Sequence, residues 1–177
     1  MNFCSQCGGK ISFIIPADDN RPRHVCNECE TIFYQNPRLI VCSIPIYQNK
    51  ILLCRRGIEP RLGLWTLPGG FMENGETCEQ AALRESEEEA KIDIKLEKLA
   101  SIVCIPNFDQ VHLFYLAKLH SPKWELTPES TEIQLFEIDN IPWDNLAFKT
   151  VKQCLQHIER HQDNLLAMPL LESSIQT

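Results

Sequence analysis

Three glutamates in the middle of the chain have the residue type and spacing of a divalent-metal site. Glu85, Glu88 and Glu89 stand at positions i, i+3 and i+4, so a helix would place them within one arc of its surface. Carboxylates at this spacing repel one another, and either solvent or a cation must offset the repulsion. Clustered oxygen ligands suit Mg²⁺ or Mn²⁺, while Glu87 would point away into solvent. Spacing alone leaves both a solvated acidic run and a metal site open.

Four cysteines near the N-terminus have the spacing of a structural zinc site. Two C-x2-C pairs are separated by 18 residues: Cys4 with Cys7, and Cys26 with Cys29. The segment around them has too little apolar material for a core, so its folding is expected to depend on bound Zn²⁺. Five further cysteines show no ligand spacing and are interpreted as core thiols: Cys42, Cys54, Cys78, Cys104 and Cys154.

The composition restricts the class of protein. A chain of 177 residues, 44% apolar and 23% charged, is typical of one folded domain with a small appendage. Its net charge of −7 disfavours non-specific binding to DNA or RNA. No apolar run reaches the length of a membrane span, and the first residues do not resemble a secretory signal. We therefore expect a cytoplasmic protein with no membrane contact.

Hydrophobic patterns predict the elements that position these residues. Two strands, at 39–46 and 51–54, precede a glycine-rich loop over 57–75, and a capping box predicts a helix over 77–91. Later patterns predict strands at 92–96, 99–105, 111–119 and 132–138 and a helix over 147–161. The result is a mixed α/β protein with three predicted parts: a zinc-binding unit at 1–37, a catalytic domain at 38–162 and a C-terminal tail at 163–177.

The glycine-rich loop and the acidic helix together resemble the Nudix hydrolase signature. Seven positions of that signature fall in register: Gly70, Glu76, Arg84, Glu85, Glu88, Glu89 and Ile92. Two positions depart, since Ser86 stands where the family has an apolar residue and Lys91 where it has glycine. We expect these two to alter helix packing and the helix exit, not the chemistry. The four cysteines and the segments 34–38 and 65–68 are similar to the zinc-ribbon branch of the family.

This resemblance implies a fold and an activity. The fold is a mixed β-sheet sandwiched between α-helices and preceded by a small zinc ribbon. The activity is hydrolysis of the pyrophosphate bond in a dinucleotide or nucleotide sugar, such as FAD or ADP-ribose, giving two phosphomonoesters. Segment 101–108 lacks the motif of NADH-specific members, so NADH is a less favoured substrate than FAD or ADP-ribose. The alternatives are a pyrophosphohydrolase acting on NADH, nucleoside triphosphates or RNA caps, or a non-catalytic ligand sensor or nucleic-acid-binding regulator.

The resemblance also assigns roles to residues. The ligands of a catalytic Mg²⁺ or Mn²⁺ would be the three glutamates and a backbone carbonyl, from Glu85, Glu88, Glu89 and Gly69 or Gly70. Arg84 would orient Glu85, and Glu76 would tie the loop to the helix. The general base stays open between one of these glutamates and Glu129 in the later loop at 127–132.

Residues just ahead of the signature are candidates for substrate binding: Arg55, Arg56, Arg61 and Trp65. We expect one of the arginines to contact a phosphate, with surface solubility as the alternative for the others. Trp65 would either stack on a base or anchor the loop. Residues 1–37 hold three cations and four anions, and four thiolates on Zn²⁺ add two negative charges. The ribbon is therefore predicted to be structural or to form a homodimer, and nucleic acid is an unfavoured partner.

Overall fold

The computed structural model describes residues 1–176, in two compact units, residues 1–37 and residues 38–176. The first unit is an antiparallel sheet of three short strands: β1 (Ile11–Ile14), β2 (Arg23–Cys26) and β3 (Ile32–Phe33). Its buried apolar side chains are those of Cys4 and Cys26, whereas none of its larger ones is fully buried. Six of the larger ones are exposed: Met1, Phe3, Phe13, Ile14, Ile15 and Tyr34. A unit with this distribution has no hydrophobic core of its own.

The second unit is built on one eight-stranded mixed sheet. Its strands are β4 (Arg38–Tyr47), β5 (Lys50–Arg56), β6 (Trp65–Thr66), β7 (Gly69–Phe71), β8 (Ile94–Ile105), β9 (Gln110–Leu119), β10 (Ser130–Glu137) and β11 (Leu171–Ser174). The main path runs β10-β5-β4-β9-β8-β11, with β6 on β5 and β7 on β4. The pairs β4–β9 and β8–β11 are parallel and the remaining pairs are antiparallel, so the sheet is mixed.

Two α-helices cover opposite faces of this sheet: α1 (Cys78–Ala90) and α2 (Lys149–Arg160). Successive strand side chains alternate between faces. Val41 of β4 packs in the cluster that contains Ala81 and Ala82 of α1, while Cys42 and Ile44 of β4 pack with Val151, Leu155 and Ile158 of α2. The sandwiched mixed sheet expected from the resemblance is confirmed. Within residues 1–176, no helix combines the length and apolarity that crossing a bilayer requires.

Most of the predicted C-terminal tail, residues 163–176, is described by the structure and includes one strand of the sheet. A 3₁₀ helix, Gln162–Ala167, precedes β11, which pairs with β8. Met168 is 2% exposed, and the ammonium group of Lys98 donates hydrogen bonds to the carbonyls of Leu166 and Met168. The four residues of β11 alternate partly buried and exposed, a pattern too short and too polar to identify the strand from the sequence.

The two strands predicted at 92–96 and 99–105 form the single strand β8. Its register with β9 shifts twice, between Leu96 and Lys98 and between Leu99 and Ser101. Such irregularities break the two-residue alternation without ending the pairing, which explains why the sequence pattern divides there.

Candidate active site

Arg84 lies at the centre of the acidic cluster. Its Nε and Nη2 donate to the two carboxylate oxygens of Glu76 at 3.0 and 2.8 Å, and its Nη1 donates to Glu85 at 2.6 Å and to Glu88 at 3.0 Å. The Arg84 hydrogen bonds hold the pKa of Glu76 at about 2. One guanidinium therefore offsets part of the repulsion among the helix carboxylates. It also ties the loop to the helix through Glu76, in the arrangement that the sequence predicted.

Gly70 lets the backbone approach Glu85 closely. A Cβ atom at Gly70 would lie 2.7 Å from the carboxylate carbon and both carboxylate oxygens of Glu85, a distance that real Cβ atoms do not reach. Gly70 is held in β7, opposite Val41 of β4. Glu85 itself is 9% exposed, and burial raises its pKa although Arg84 opposes the rise. The absence of a side chain at Gly70 thus lets strand β7 pass close to the buried carboxylate of Glu85.

Glu89 is the most buried carboxylate of the cluster. One of its oxygens accepts a hydrogen bond from the Gly69 N–H at 3.1 Å. Burial, together with the charges of Glu85 and Glu129, raises the pKa of Glu89 to about 8 against the lowering effect of that hydrogen bond. The side chain of Glu88, by contrast, is half-exposed and forms an ion pair with Arg84. The three glutamates line one edge of α1 from buried to exposed.

The donor set fits a hard divalent cation. Three carboxylates lie on one rigid helix beside a glycine strand that admits close approach, and oxygen donors of this type are those that Mg²⁺ and Mn²⁺ prefer. In residues 1–176, however, the only group of three or more ligand atoms all within 4.8 Å of one another is the four-cysteine group. The glutamates instead accept hydrogen bonds from separate partners, Arg84 and the Gly69 N–H.

Glu129 faces this cluster from the loop before β10. Its charge raises the pKa of both Glu85 and Glu89, which places its carboxylate within electrostatic reach of the two buried ones. Among the described residues, no hydrogen bond engages the Glu129 carboxylate, whereas those of Glu85, Glu88 and Glu89 are all engaged. The later loop that the sequence singled out is therefore brought to the helix.

Of the three candidate arginines, the structure brings Arg56 to the acidic cluster. Its positive charge lowers the pKa of Glu89, its Nε donates to the Pro60 carbonyl at 2.8 Å, and its guanidinium lies 5.2 Å from the Phe148 ring centre. Arg55 pairs with Glu132 at 3.1 Å on an exposed edge. Arg61 lies in an exposed loop. Only Arg56 therefore combines a fixed side chain with proximity to the carboxylates.

Trp65 lies in the hydrophobic core on the α2 side of the sheet. It is 9% exposed, its ring packs edge-on against Phe136 at 5.0 Å, and its carbonyl accepts a hydrogen bond from the Ala147 N–H at 2.8 Å. Little ring surface is left for stacking on a nucleobase. Of the two roles considered for Trp65, the geometry supports the anchor.

The two departures from the signature have structural explanations. Ser86 is fully buried, and its hydroxyl donates to the Ala82 carbonyl at 2.6 Å and lies 2.7 Å from the Ser43 hydroxyl of β4. A hydrogen-bonded serine pair thus replaces an apolar contact between helix and sheet. Lys91 ends the helix in the left-handed conformation, at φ 53°, where glycine is favoured. The serine partner, Ser43, could not be found from the sequence because it is 43 residues away.

The four cysteines of the first unit form a compact group. The Cys7 sulfur lies 3.4 Å from those of Cys26 and Cys29, and the Cys4 sulfur lies 3.7 Å from that of Cys29. A tetrahedral site with Zn–S bonds of about 2.3 Å has sulfurs about 3.8 Å apart, so the group fits such a site. Backbone N–H groups point at the sulfurs, including those of Gln6, Gly9 and Glu28.

The other five cysteines form no such group in the described chain. Cys42, Cys54 and Cys154 are buried, in agreement with a role as core thiols, and burial raises the pKa of each. Cys78 and Cys104 are partly exposed and correct that interpretation. Cys104 lies on β8 beside the short strand β11, which covers less of it than a core layer would.

Two family models match the chain. A zinc-ribbon model described as Nudix N-terminal matches residues 2–35, and a model described as the NUDIX domain matches residues 36–154. The matched regions together contain the four cysteines, the acidic helix and the loop of Glu129.

Individual proteins are similar over much of the same length. A NUDIX hydrolase structure from Nitrosomonas europaea has a TM-score of 0.94 and 40% identity, and covers 100% of both chains. An ADP-ribose pyrophosphatase of Methanocaldococcus jannaschii is 32% identical over 119 residues, which are 65% of this chain and 69% of that protein. An NAD-capped RNA hydrolase of Vibrio vulnificus is 31% identical over 146 residues, 80% of this chain. The chain spans about half of that last relative, since the match covers 53% of it.

Proposed function

The chain belongs to the Nudix hydrolase family, and we propose that it hydrolyses the pyrophosphate bond of a nucleoside diphosphate linked to a sugar, with ADP-ribose as the first substrate to test. The observation that carries this proposal is the set of Glu85, Glu88 and Glu89 on one helix, beside a glycine strand and facing Glu129. The similarity to an ADP-ribose pyrophosphatase supports the choice of substrate.

We propose Mg²⁺ or Mn²⁺ as the catalytic cation, held by Glu85, Glu88, Glu89 and the carbonyl of Gly69 or Gly70. When bound, such a cation neutralises phosphate charge and lowers the pKa of a water molecule. We propose Zn²⁺ for the four cysteines, with a structural role. The thiolate set suits zinc and the carboxylate set suits a harder ion, so the two sites are expected to select different metals.

The remaining roles belong to side chains of this chain. Arg84 holds Glu85 and Glu88 in place through its hydrogen bonds, and Glu76 anchors Arg84 in turn. Arg56, whose guanidinium lies over the Phe148 ring, would donate its remaining N–H groups to a phosphate oxygen. Glu129, whose carboxylate no hydrogen bond occupies in the described chain, is the proposed general base.

The reaction balances without a further reactant. Glu129 takes a proton from water while the water oxygen bonds to one phosphorus. The bond between that phosphorus and the bridging oxygen breaks, and the second phosphate leaves with the electron pair. Two phosphomonoesters result, which for ADP-ribose are AMP and ribose 5-phosphate.

A second candidate substrate is the NAD-type cap of an RNA, because one relative that matches 80% of this chain is named an NAD-capped RNA hydrolase. Two features of this chain disfavour it. Segment 101–108 lacks the sequence motif of NADH-specific enzymes, and residues 1–37 have no positive surplus to attract RNA. ADP-ribose is therefore the preferred candidate substrate.

A substrate panel tests the proposal. The purified chain with Mg²⁺ is given ADP-ribose, FAD, NADH, nucleoside triphosphates and NAD-capped RNA, and product monophosphates are measured by chromatography. The expected result is the highest kcat/KM on ADP-ribose. A preference for NAD-capped RNA would select the second candidate, and binding without hydrolysis across the panel would establish a ligand sensor.

Two substitutions test the site itself. Glu88→Gln and Glu89→Gln should each lower turnover by roughly 10²-fold or more, the scale of losing a catalytic group, while the protein stays folded. Glu87→Gln is the matched control, since Glu87 lies on the same helix but is exposed and paired with Lys91 at 3.0 Å. Turnover within about 2-fold of the parent in all three variants would refute the metal-site assignment.

A further inference from the structure

The contacts around the Glu129 loop point to a residue that the catalytic signature does not include. We propose that Thr127 is a positioning residue, which fastens the Glu129 loop to the C-terminal end of the catalytic helix. The inference rests on the proposed function, since it concerns the placement of the proposed base.

The Thr127 hydroxyl joins the helix and the loop through one oxygen. It donates to the Glu89 carbonyl at 3.1 Å, and it accepts from the N–H groups of Glu129 at 3.3 Å and Ser130 at 3.1 Å. The Glu89 carbonyl is one of the last four of α1, which have no partner within the helix. The same hydroxyl thus caps the helix end at Glu89 and fixes the backbone of the proposed base, Glu129.

Gly57 fastens the loop from the opposite side. Its N–H donates to the Glu129 carbonyl at 2.8 Å, directly after Arg56 at the end of β5. A Cβ atom at Gly57 would lie 2.3 Å from the Pro128 carbonyl oxygen, so any larger residue would push the loop away. The Glu129 backbone is therefore held between β5 and α1. Thr127 supplies the attachment to α1.

Substitution by valine separates the hydroxyl from the shape of the side chain. Thr127→Val keeps the branched side chain and removes the donor and acceptor, while Thr127→Ser keeps the hydroxyl. Thr131→Val is the matched control, because the Thr131 hydroxyl donates to the Arg55 carbonyl at 3.3 Å and ties the same loop to β5 without touching α1. If the hydroxyl acts through Glu129, its loss should have no further effect once Glu129→Gln is present.

The experiment measures ADP-ribose turnover with Mg²⁺ and, separately, Mn²⁺ affinity from the electron paramagnetic resonance signal of free Mn²⁺. Thr127→Val should lower kcat about 10-fold with KM within about 2-fold, the signature of a misplaced catalytic group. It should weaken Mn²⁺ binding several-fold, because the Glu129 charge no longer faces the buried carboxylates. Thr127→Ser and Thr131→Val should stay within about 2-fold of the parent in both measurements. Gly57→Ala displaces the loop by steric contact and should also lower kcat. That loss of kcat should likewise disappear when Gly57→Ala is made in the Glu129→Gln background.

The outcomes separate the inference from the proposed function. A parent chain that leaves ADP-ribose intact contradicts the proposed substrate, and the Mn²⁺ titration then decides the positioning role alone. Equal effects of Thr127→Val and Thr131→Val would overturn the inference. The inference would also be overturned if Thr127→Val lowered kcat by the same factor in the Glu129→Gln background as in the parent. A Glu129→Gln variant with parental kcat and Mn²⁺ affinity would overturn it as well.

Discussion

The two units of this protein relate metal and fold in opposite ways. In residues 1–37 the buried apolar side chains are Cys4 and Cys26, which are themselves proposed metal ligands. In the second unit, Ala81 and Ala82 of α1 are buried against the sheet, and Glu85 and Glu89 lie beside them on the same buried face of the helix. We therefore expect the first unit to need its proposed metal to acquire a structure, whereas the second presents its proposed ligands on a structure that packing has already formed.

This difference explains how the side chains of each proposed metal site are held in position. Four thiolates close a site by themselves, and their sulfurs lie at tetrahedral distances without support from a core. The glutamates depend on Arg84 for orientation and on Gly69 and Gly70 for close backbone approach. Loss of metal should therefore unfold the first unit and leave the second intact.

Removal of a zinc ligand is the strongest way to test the comparison. Cys26→Ser should abolish the structure of residues 1–37, because binding of structural zinc contributes on the order of 10 kcal/mol to folding of such units. Hydrogen–deuterium exchange should rise to the unfolded rate in peptides from 1–37 and stay unchanged in peptides from 38–176. Cys104→Ser, which alters a cysteine outside the group, is the control and should retain one zinc per chain. Protection of residues 1–37 in Cys26→Ser would contradict the assignment of a metal-dependent unit.

The converse test alters the glutamate site of the second unit without unfolding that unit. Gly70→Ala places a methyl group 2.7 Å from the Glu85 carboxylate, which must move. A displacement of about 1 Å costs on the order of 10²-fold in turnover, and we expect that loss together with weaker Mn²⁺ binding. The thermal unfolding midpoint should move by no more than a few degrees, since the affected carboxylate lies at the edge of the core. A large drop in the midpoint with retained turnover would show that Gly70 serves the fold instead.

The two units also differ in how far the sequence determines them. The C-x2-C spacing identified all four cysteines of the group, because the two cysteines of each pair are close in the sequence. The capping box fixed the start of α1 at Thr77, and the three-residue and four-residue spacing placed Glu85, Glu88 and Glu89 on one side. These features depend on neighbours in the sequence, so they could be predicted.

Features that depend on distant neighbours could not be predicted. The Ser43–Ser86 pair, the Arg56 contact with Phe148 and the Thr127 bond to Glu89 each join residues at least 38 positions apart. Charge alone made Arg55, Arg56 and Arg61 equivalent candidates, and only the pairing of β5 with β10 separates them. The aromatic type of Trp65 suggested stacking, but its burial follows from the packing of the sheet.

Acid should weaken the packed unit through a buried histidine. Burial lowers the pKa of His112 to about 4 from an ordinary value of 6.5, and its Nδ1 lies 3.0 Å from the Thr150 hydroxyl of α2. Between these two values the unfolded chain binds the proton that the folded chain excludes, so stability is full above pH 6.5 and falls as the pH drops towards 4. The loss from this group is about 3 kcal/mol at most. Urea unfolding of the parent and of His112→Gln, followed by tryptophan fluorescence, should show this slope as the difference between the two proteins, because the raised pKa of Glu89 contributes an opposite slope to both.

Lys91→Gly should give the smallest effect, a gain in stability of the packed unit. Lys91 has φ 53° and ψ 38°, a conformation that costs a residue with a side chain about 1–2 kcal/mol, against a smaller entropic penalty for glycine. The substitution also removes the exposed ion pair with Glu87, worth a few tenths of a kcal/mol, so the net gain should be about 0.5–1 kcal/mol in urea unfolding. Lys91→Ala removes the ion pair but keeps the Cβ atom, and it should be slightly destabilising. Turnover should be unchanged in both variants, because neither alters the carboxylates. Equal stability of the glycine and alanine variants would show that the backbone at the end of α1 carries no strain.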